Sequence, residues 1–193
     1  MHSLSYFYNC SKEYLDSNIH QIHGEVLDVI SKLPRRKTQS EVNKDLFWIL
    51  TSKGWSYDAV TAGTNNVPPD DLGIESPDLN NVRGQNDRQL CLTSTTIEAR
   101  WYADFAKLYD NKLVQIEAQF DKVESMFKDF CGFKIGCYEK RLALGIEIVM
   151  YDPGTYFSHR RAATSGMAYF DIAKKTLPAV GLDCPIWLIG IKI

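Results

Sequence analysis

The chain has 193 residues, of which 45% are hydrophobic and 12% aromatic, and its formal net charge is −2. That length and apolar content fit one compact domain and exclude a disordered chain, while the near-neutral charge argues against a protein coated in nucleic acid over its whole surface. No apolar run approaches a membrane span, and Met1-His2-Ser3-Leu4-Ser5 lacks the basic-then-apolar pattern of a secretion signal, so a cytoplasmic protein with no membrane association is expected.

Leu15, Ile19, Ile22, Val26, Ile30 and Leu33 recur at spacings of three and four, which predicts one amphipathic helix from about Lys12 to Lys32, stopped by Pro34. A second helix is expected from Ser40 as N-cap, with Val42, Leu46, Phe47 and Leu50 inward and Gly54 just past its end. Residues 61–88, rich in Gly, Asn, Pro and Asp without periodicity, read as a long loop, a kind of segment that is often functional. Residues 90–106 lead, as strand or helix, into an acidic segment.

From Leu113 to Phe120 polar and apolar residues alternate, placing Gln115, Glu117 and Gln119 on one face of a strand and Val114, Ile116, Ala118 and Phe120 on the other. Asp110-Asn111-Lys112 has turn chemistry, so Tyr102 to Leu108 folds back as a second strand and brings Asp104 near Glu117. Two carboxylates and an amide oxygen converging there make an all-oxygen site suited to Mg2+, and such an ion serves phosphodiester hydrolysis. The competing reading is an ordinary solvated strand face.

After Phe120, Val123, Met126, Phe127 and Phe130 mark a third helix running on toward Tyr138, and Ala143 to Met150 reads as a buried strand. Asp152-Pro153-Gly154 turns the chain, Thr164-Ser165 can cap a helix bearing Met167, Ile172 and Leu177, and Cys184 to Ile193 closes as an apolar strand. The expected fold is α/β: a mixed central sheet flanked by helices, with a helical N-terminal third. The acidic strand, strand 143–150 and the terminal strand form its centre. One domain is expected over 1–193, with a helical support region (12–60), the long loop (61–88) and a core (90–193) that carries the acidic strand.

Cys10, Cys91, Cys131, Cys137 and Cys184 lack the paired spacing of a zinc site and read as reduced, mostly buried small side chains. His20 and His23 stand three apart on a helix without carboxylate support, which reads as a partly exposed face. Basic clusters at Arg35-Arg36-Lys37, Lys140-Arg141, His159-Arg160-Arg161 and Lys174-Lys175 would form a positive rim around the acidic pocket if the fold gathers them.

The ordered set Asp104-Phe105, Ile116-Glu117-Ala118-Gln119-Phe120, Lys122, Gly145-Ile146-Glu147-Ile148, Ser165-Gly166-Met167-Ala168-Tyr169 and Leu188-Ile189-Gly190-Ile191 resembles the BglII/BstYI group of type II restriction endonucleases, within the PD-(D/E)xK nucleases. The likeness extends over most of the chain. Its most specific part is Glu-x-Gln-Phe, with glutamine where most of the superfamily carries lysine. The resemblance implies Asp104 and Glu117 as metal ligands and catalytic carboxylates, Gln119 as third catalytic member, and cleavage by a metal-activated water that leaves a 5′-phosphate. Because glutamine carries no charge, it can only orient water or ligand oxygens.

The interval from Asp104 to Glu117 is longer than the group's pattern, and Asp110 lies within it. Asp104 is preferred as first ligand because Asp-Phe matches the pattern and Asp110 looks like turn chemistry. Lys122, Thr164, Ser165 and Gly166 resemble base-facing positions, and Arg160 and Arg161 suit phosphates; the plain alternatives are an exposed helix residue at Lys122 and an N-cap at Ser165. The resemblance further implies double-stranded DNA as partner, a homodimer matching a palindrome that contains GATC, and a companion DNA methyltransferase. Two other functions fit the same residues: a structure-selective or repair nuclease, which would smear plasmid DNA, and a non-cleaving DNA-binding protein, which would retain DNA without nicking it.

Overall fold

The structure is a computed structural model that describes residues 1–62, 88–89, 101–159 and 164–192. In chain order the elements are β1 (His2–Tyr8), α1 (Lys12–Asn18), α2 (Ile22–Lys32), α3 (Gln39–Ser52), β2 (Ser56–Ala62), β3 (Arg88–Gln89), β4 (Trp101–Tyr109), β5 (Lys112–Ala118), α4 (Val123–Tyr138), β6 (Leu142–Met150), α5 (Pro153–Tyr156), α6 (Phe170–Ala179) and β7 (Ile186–Lys192). The strands make one mixed sheet ordered β1-β7-β6-β5-β4-β2-β3. Within it β5, β6 and β7 run parallel and β4 runs antiparallel to β5. The α/β fold and the central grouping of β5, β6 and β7 are as expected from the sequence.

Both faces of the sheet are covered. On one, Leu15, Ile19, Val26, Ile30, Leu46 and Leu50 of the first three helices and the turn after α1 pack with Val114, Ile116, Ile146, Ile148 and Ile189. On the other, Met126, Phe130 and Phe133 of α4 and Ala173 and Leu177 of α6 pack with Leu113, Val149, Ile186 and Leu188. A strand buried on both faces reads as a continuous apolar run, which is why β6 and β7 were recognisable without alternation.

Several local readings change. The helix expected over 12–32 is two helices, because Gln21 adopts a left-handed backbone at φ 70° and reorients the chain between Ile19 and Ile22, both of which stay buried. The N-cap of α3 is Thr38 rather than Ser40: its hydroxyl accepts from the Glu41 amide while the Glu41 carboxylate takes the Thr38 amide, a reciprocal capping box. The helical N-terminal third also contains a strand at its start, β1, paired antiparallel to β7, and gives way to β2 at Ser56. Asp152 does more than turn the chain, since its carboxylate caps the single-turn α5. Cys131 is exposed rather than buried. His20 is exposed and His23 stacks on Trp187 at 5.1 Å, so the two do not form a metal pair. Residues 63–87 of the expected long loop, the 90–100 lead-in and Cys91 lie outside the described residues.

One polar cluster locks α2 to the sheet. Glu25 accepts hydrogen bonds from Trp55 Nε1 (2.7 Å), Tyr109 OH (2.8 Å) and Lys107 Nζ (3.0 Å). Burial alone would raise the Glu25 carboxyl, but these three donors outweigh it and hold it below the usual carboxylate range.

Candidate active site

The β4–β5 ribbon is closed at one end and forked at the other. At the closed end Asp110 and Asn111 have φ of 48° and 63°, the two left-handed positions of a tight hairpin turn that Asp and Asn tolerate. Pairing runs from Tyr109↔Lys112 to Phe105↔Ile116. Beyond that pair carboxylates take over from the ladder: the Asp104 amide donates to Glu117 Oε2 at 3.2 Å, and the Ala118 amide donates to Asp104 Oδ2 at 3.0 Å. Gln115 Nε2 donates to Glu117 Oε1 at 2.8 Å. The expected approach of Asp104 to Glu117 is therefore present, and Asp110 sits in the turn at the opposite end of the ribbon.

This face is not solvated. Gln115 is 1% and Glu117 5% exposed, because α4 lies over them. Gln119, just past β5, donates from Nε2 to Asp129 of α4 at 2.8 Å and accepts the Asp121 amide on Oε1 at 3.0 Å. Its amide thus positions Asp129 and the chain entering α4. On the neighbouring strand Glu147 stands in register with Glu117 and is fully buried.

The electrostatics follow from burying acids together. Burial, then Asp104 and Asp129, push the Glu117 carboxyl well above its ordinary value. Burial is also the chief cause that lifts Asp129 to about 7, with Gln119 pulling the other way and Asp104 adding to the rise. For Glu147 burial comes first, followed by Asp129, Glu117 and Asp104. Among the described residues, Lys128 is the charge that opposes the rise, and it does so at Asp129.

Carboxylate oxygens gathered in this way suit a hard divalent cation. Asp104 accepts the Ala118 amide, and Glu117 accepts the Asp104 backbone amide and the Gln115 side-chain amide; a carboxylate oxygen has two lone pairs and so can accept more than one partner. Among the described residues no group of three or more His, Cys, Asp or Glu side chains is placed to hold an ion, so the fit rests on the oxygen chemistry of the Asp104 and Glu117 carboxylates.

Beside this cluster, residues 121–123 pair with 166–168: the Val123 amide donates to Gly166 O (3.0 Å) and the Ala168 amide to Asp121 O (2.7 Å), with an antiparallel bridge Lys122↔Met167. Lys122, the N-cap position of α4, is thereby set next to exposed Ser165 and Gly166 and half-buried Thr164. Thr164-Ser165 does not cap a helix, as α6 begins at Phe170 with Tyr169 at its N-cap. The pairing with 121–123 draws 166–168 away from helical geometry, and Gly166 takes a φ of +79°. Thr164 and Gly166 also line a groove of about 520 Å³ with Tyr151, Asp152, Tyr169 and Asp171. Arg160 and Arg161 lie outside the described residues.

Two acids were not singled out from the sequence. Glu147 carried a usable signal as the one charged residue in the apolar run Leu142–Met150. Asp129 carried none, since an acid on an amphipathic helix is ordinary.

Comparison with known proteins gives a consistent result. The family model described as restriction endonuclease BglII/BglIII matches residues 4–191. Among solved structures, the crystal structure of restriction endonuclease BglII complexed with a DNA 16-mer superposes with a TM-score of 0.60 at 17% identity, covering 100% of this chain and 79% of that one. No curated protein sequence matches the chain.

Proposed function

Because the chain belongs to the BglII/BglIII family of restriction endonucleases, and so is a type II site-specific deoxyribonuclease, we propose that it cuts both strands of a short palindrome containing GATC, with Mg2+ held by Asp104 and Glu117. The observation that carries this is the fork of the β4–β5 ribbon, where Asp104 and Glu117 are fixed side by side by the Ala118 and Asp104 amides. When bound, the cation supplies an activated water and charge stabilisation at the scissile phosphate. Asp104 and Glu117 present their carboxylates to one site. Gln119 holds Asp129 against the same cluster, where the carboxylate can accept a proton. α4 excludes bulk solvent and so strengthens every charge interaction beneath it.

In this reading Lys122, Thr164, Ser165 and Gly166 face base edges in the major groove, with Arg160 and Arg161 on phosphates. The short antiparallel pairing of 121–123 with 166–168 supports it, since it couples the recognition segments to the start of α4 directly after the catalytic strand. A palindromic target calls for a two-fold homodimer, and self-protection calls for a methyltransferase acting on the same site. The chain works in the cytoplasm, where its DNA is. Among the described residues no helix is long and apolar enough to cross a membrane.

Digestion of plasmid with purified protein and MgCl2, followed by sequencing of the fragment ends, tests the proposal. Discrete bands with 5′-phosphate ends at one palindrome support it. A smear overturns site specificity, and intact plasmid in both Mg2+ and Mn2+ overturns cleavage.

A further inference from the structure

Gln119 is tied both through its backbone and at each end of its side-chain amide. Its backbone N–H donates to Ile148 O at 2.8 Å, continuing the β5–β6 pairing past Ala118. On the side chain, Oε1 accepts the Asp121 amide at 3.0 Å and Nε2 donates to Asp129 Oδ2 at 2.8 Å. A primary amide has an accepting end and a donating end of nearly equal size, so what it offers a substrate depends on which way round it sits. The Asp121 amide can only donate. An ionised Asp129 carboxylate can only accept, and a protonated one still keeps an accepting oxygen. One orientation therefore satisfies both ends, and the reverse sets an oxygen against a carboxylate and an NH2 group against an N–H. Both partners belong to the framework, since the Asp121 carbonyl accepts the Ala168 amide at 2.7 Å and Asp129 stands on α4. Packing has no need of an acid there: Met126, Phe130 and Phe133 already fill the sheet-facing stripe, with Asp129 half-buried on its flank. Asp129 is also close enough to the fork for its charge to raise the Glu117 and Glu147 carboxyls. The nitrogen it holds is thus the end of Gln119 turned toward the acidic cluster.

We infer that Asp129 is a positioning residue for DNA cleavage: its carboxylate holds the Gln119 amide in the one orientation that keeps Nε2 on the side of the Asp104 and Glu117 carboxylates. This rests on the reading that cleavage takes place at the fork of the β4–β5 ribbon. An amide nitrogen carries two hydrogens. Asp129 takes one, and the other is the donor that orients the attacking water or a phosphate oxygen. Without Asp129 the amide is free to turn over, and the site then presents an acceptor where the reaction needs a donor.

The test measures single-turnover cleavage of a duplex carrying the protein's palindrome, duplex affinity without metal, and melting temperature. It compares wild type, Asp129→Ala, Asp129→Asn, Gln119→Ala and the variant with both alanines. Asp129→Ala is expected to slow cleavage about 10- to 100-fold, the scale of losing a partner that orients a working side chain, with duplex affinity unchanged. Asp129→Asn keeps an oxygen that accepts from Gln119 Nε2 and recovers most of that rate. The variant with both alanines is no slower than Gln119→Ala, because residues that act as a unit are not additive. A wild-type rate in Asp129→Ala overturns the inference and, with a lowered melting temperature, returns the contact to the fold. Losses that multiply when both alanines are combined overturn it too. An Asp129→Asn variant as slow as Asp129→Ala overturns positioning and assigns Asp129 to proton transfer instead. Should Asp129→Ala not fold, NMR of the metal-free wild type and Asp129→Asn decides: separate, slowly exchanging Gln119 side-chain amide hydrogens in both support the inference, and a pair that exchanges like free glutamine overturns it. A duplex left uncut by the wild type sinks the nuclease reading and the inference with it, whereas cleavage indifferent to Asp129 sinks the inference alone.

Discussion

The two ends of the β4–β5 ribbon each bury carboxylate, and they treat it oppositely. Near the hairpin turn, Glu25 from α2 meets a lysine, an indole and a phenol, and its charge is satisfied within the protein. At the fork, Glu117, Asp129 and Glu147 meet one another and Asp104, and all three are pushed toward the neutral form. A balanced buried charge holds structure together, whereas an unbalanced cluster destabilises the empty protein and lowers its energy only when positive charge arrives from outside. The difference separates a clamp from a site.

The largest expected effect breaks the fork. Asp104→Ala and Glu117→Ala each reduce plasmid cleavage by about 10³-fold or more, the scale of losing a preorganised electrostatic contact, while far-UV circular dichroism stays unchanged. Full activity in Asp104→Ala would remove the site from this position. The next effect breaks the clamp. Glu25→Ala lowers stability by about 2 kcal/mol in urea denaturation, read from the midpoint, with cleavage per folded molecule preserved; if activity falls while the midpoint holds, the two ends are not separable in this way.

A smaller effect concerns sequence reading. Lys122→Ala costs about 1–3 kcal/mol of discrimination at one base pair if the side chain contacts a base, measured as cleavage of a panel of single-mismatch duplexes. Equal discrimination would return Lys122 to the role of an exposed helix cap. The pH response then sharpens the contrast. Asp129 has an ordinary value of 3.8 and is lifted to about 7 in the fold. Between those values the folded state binds more protons than the unfolded chain, so metal-free stability contributed by this group is present below about 4 and is lost as pH rises through 7. Thermal melts in EDTA from pH 4 to 8 should show that decline, and Asp129→Asn should flatten it. Asp110→Ala is expected to change cleavage least, because Asp110 serves only the turn. Its alanine in a left-handed conformation lowers stability by about 1 kcal/mol.

The acidic ribbon was legible because its pattern is local: alternation through Leu113–Phe120 fixes which side chains share a face, and Asp110-Asn111 marks the hairpin. The apolar run of β6 and the helical stripe over Leu15 to Leu33 were equally legible. Thr38 over Ser40 as the α3 cap was not, since a reciprocal partner at Glu41 decides between two acceptable residues. Nor was the short pairing of Lys122 with Met167, which rests on backbone bonds between segments far apart in the chain. The edge strand β1 was missed because it exists only where β7 offers an unpaired edge.

The sequence by itself determined the α/β class, the ribbon with its turn, and the pairing of Asp104 with Glu117, all of which follow from side-chain periodicity and turn chemistry over a few residues. Only the tertiary structure decided that the acidic face is sealed by α4 and that Asp129 and Glu147 join it. Burial and register between distant strands set the strength of a charge, and neither is written in the spacing of neighbouring residues.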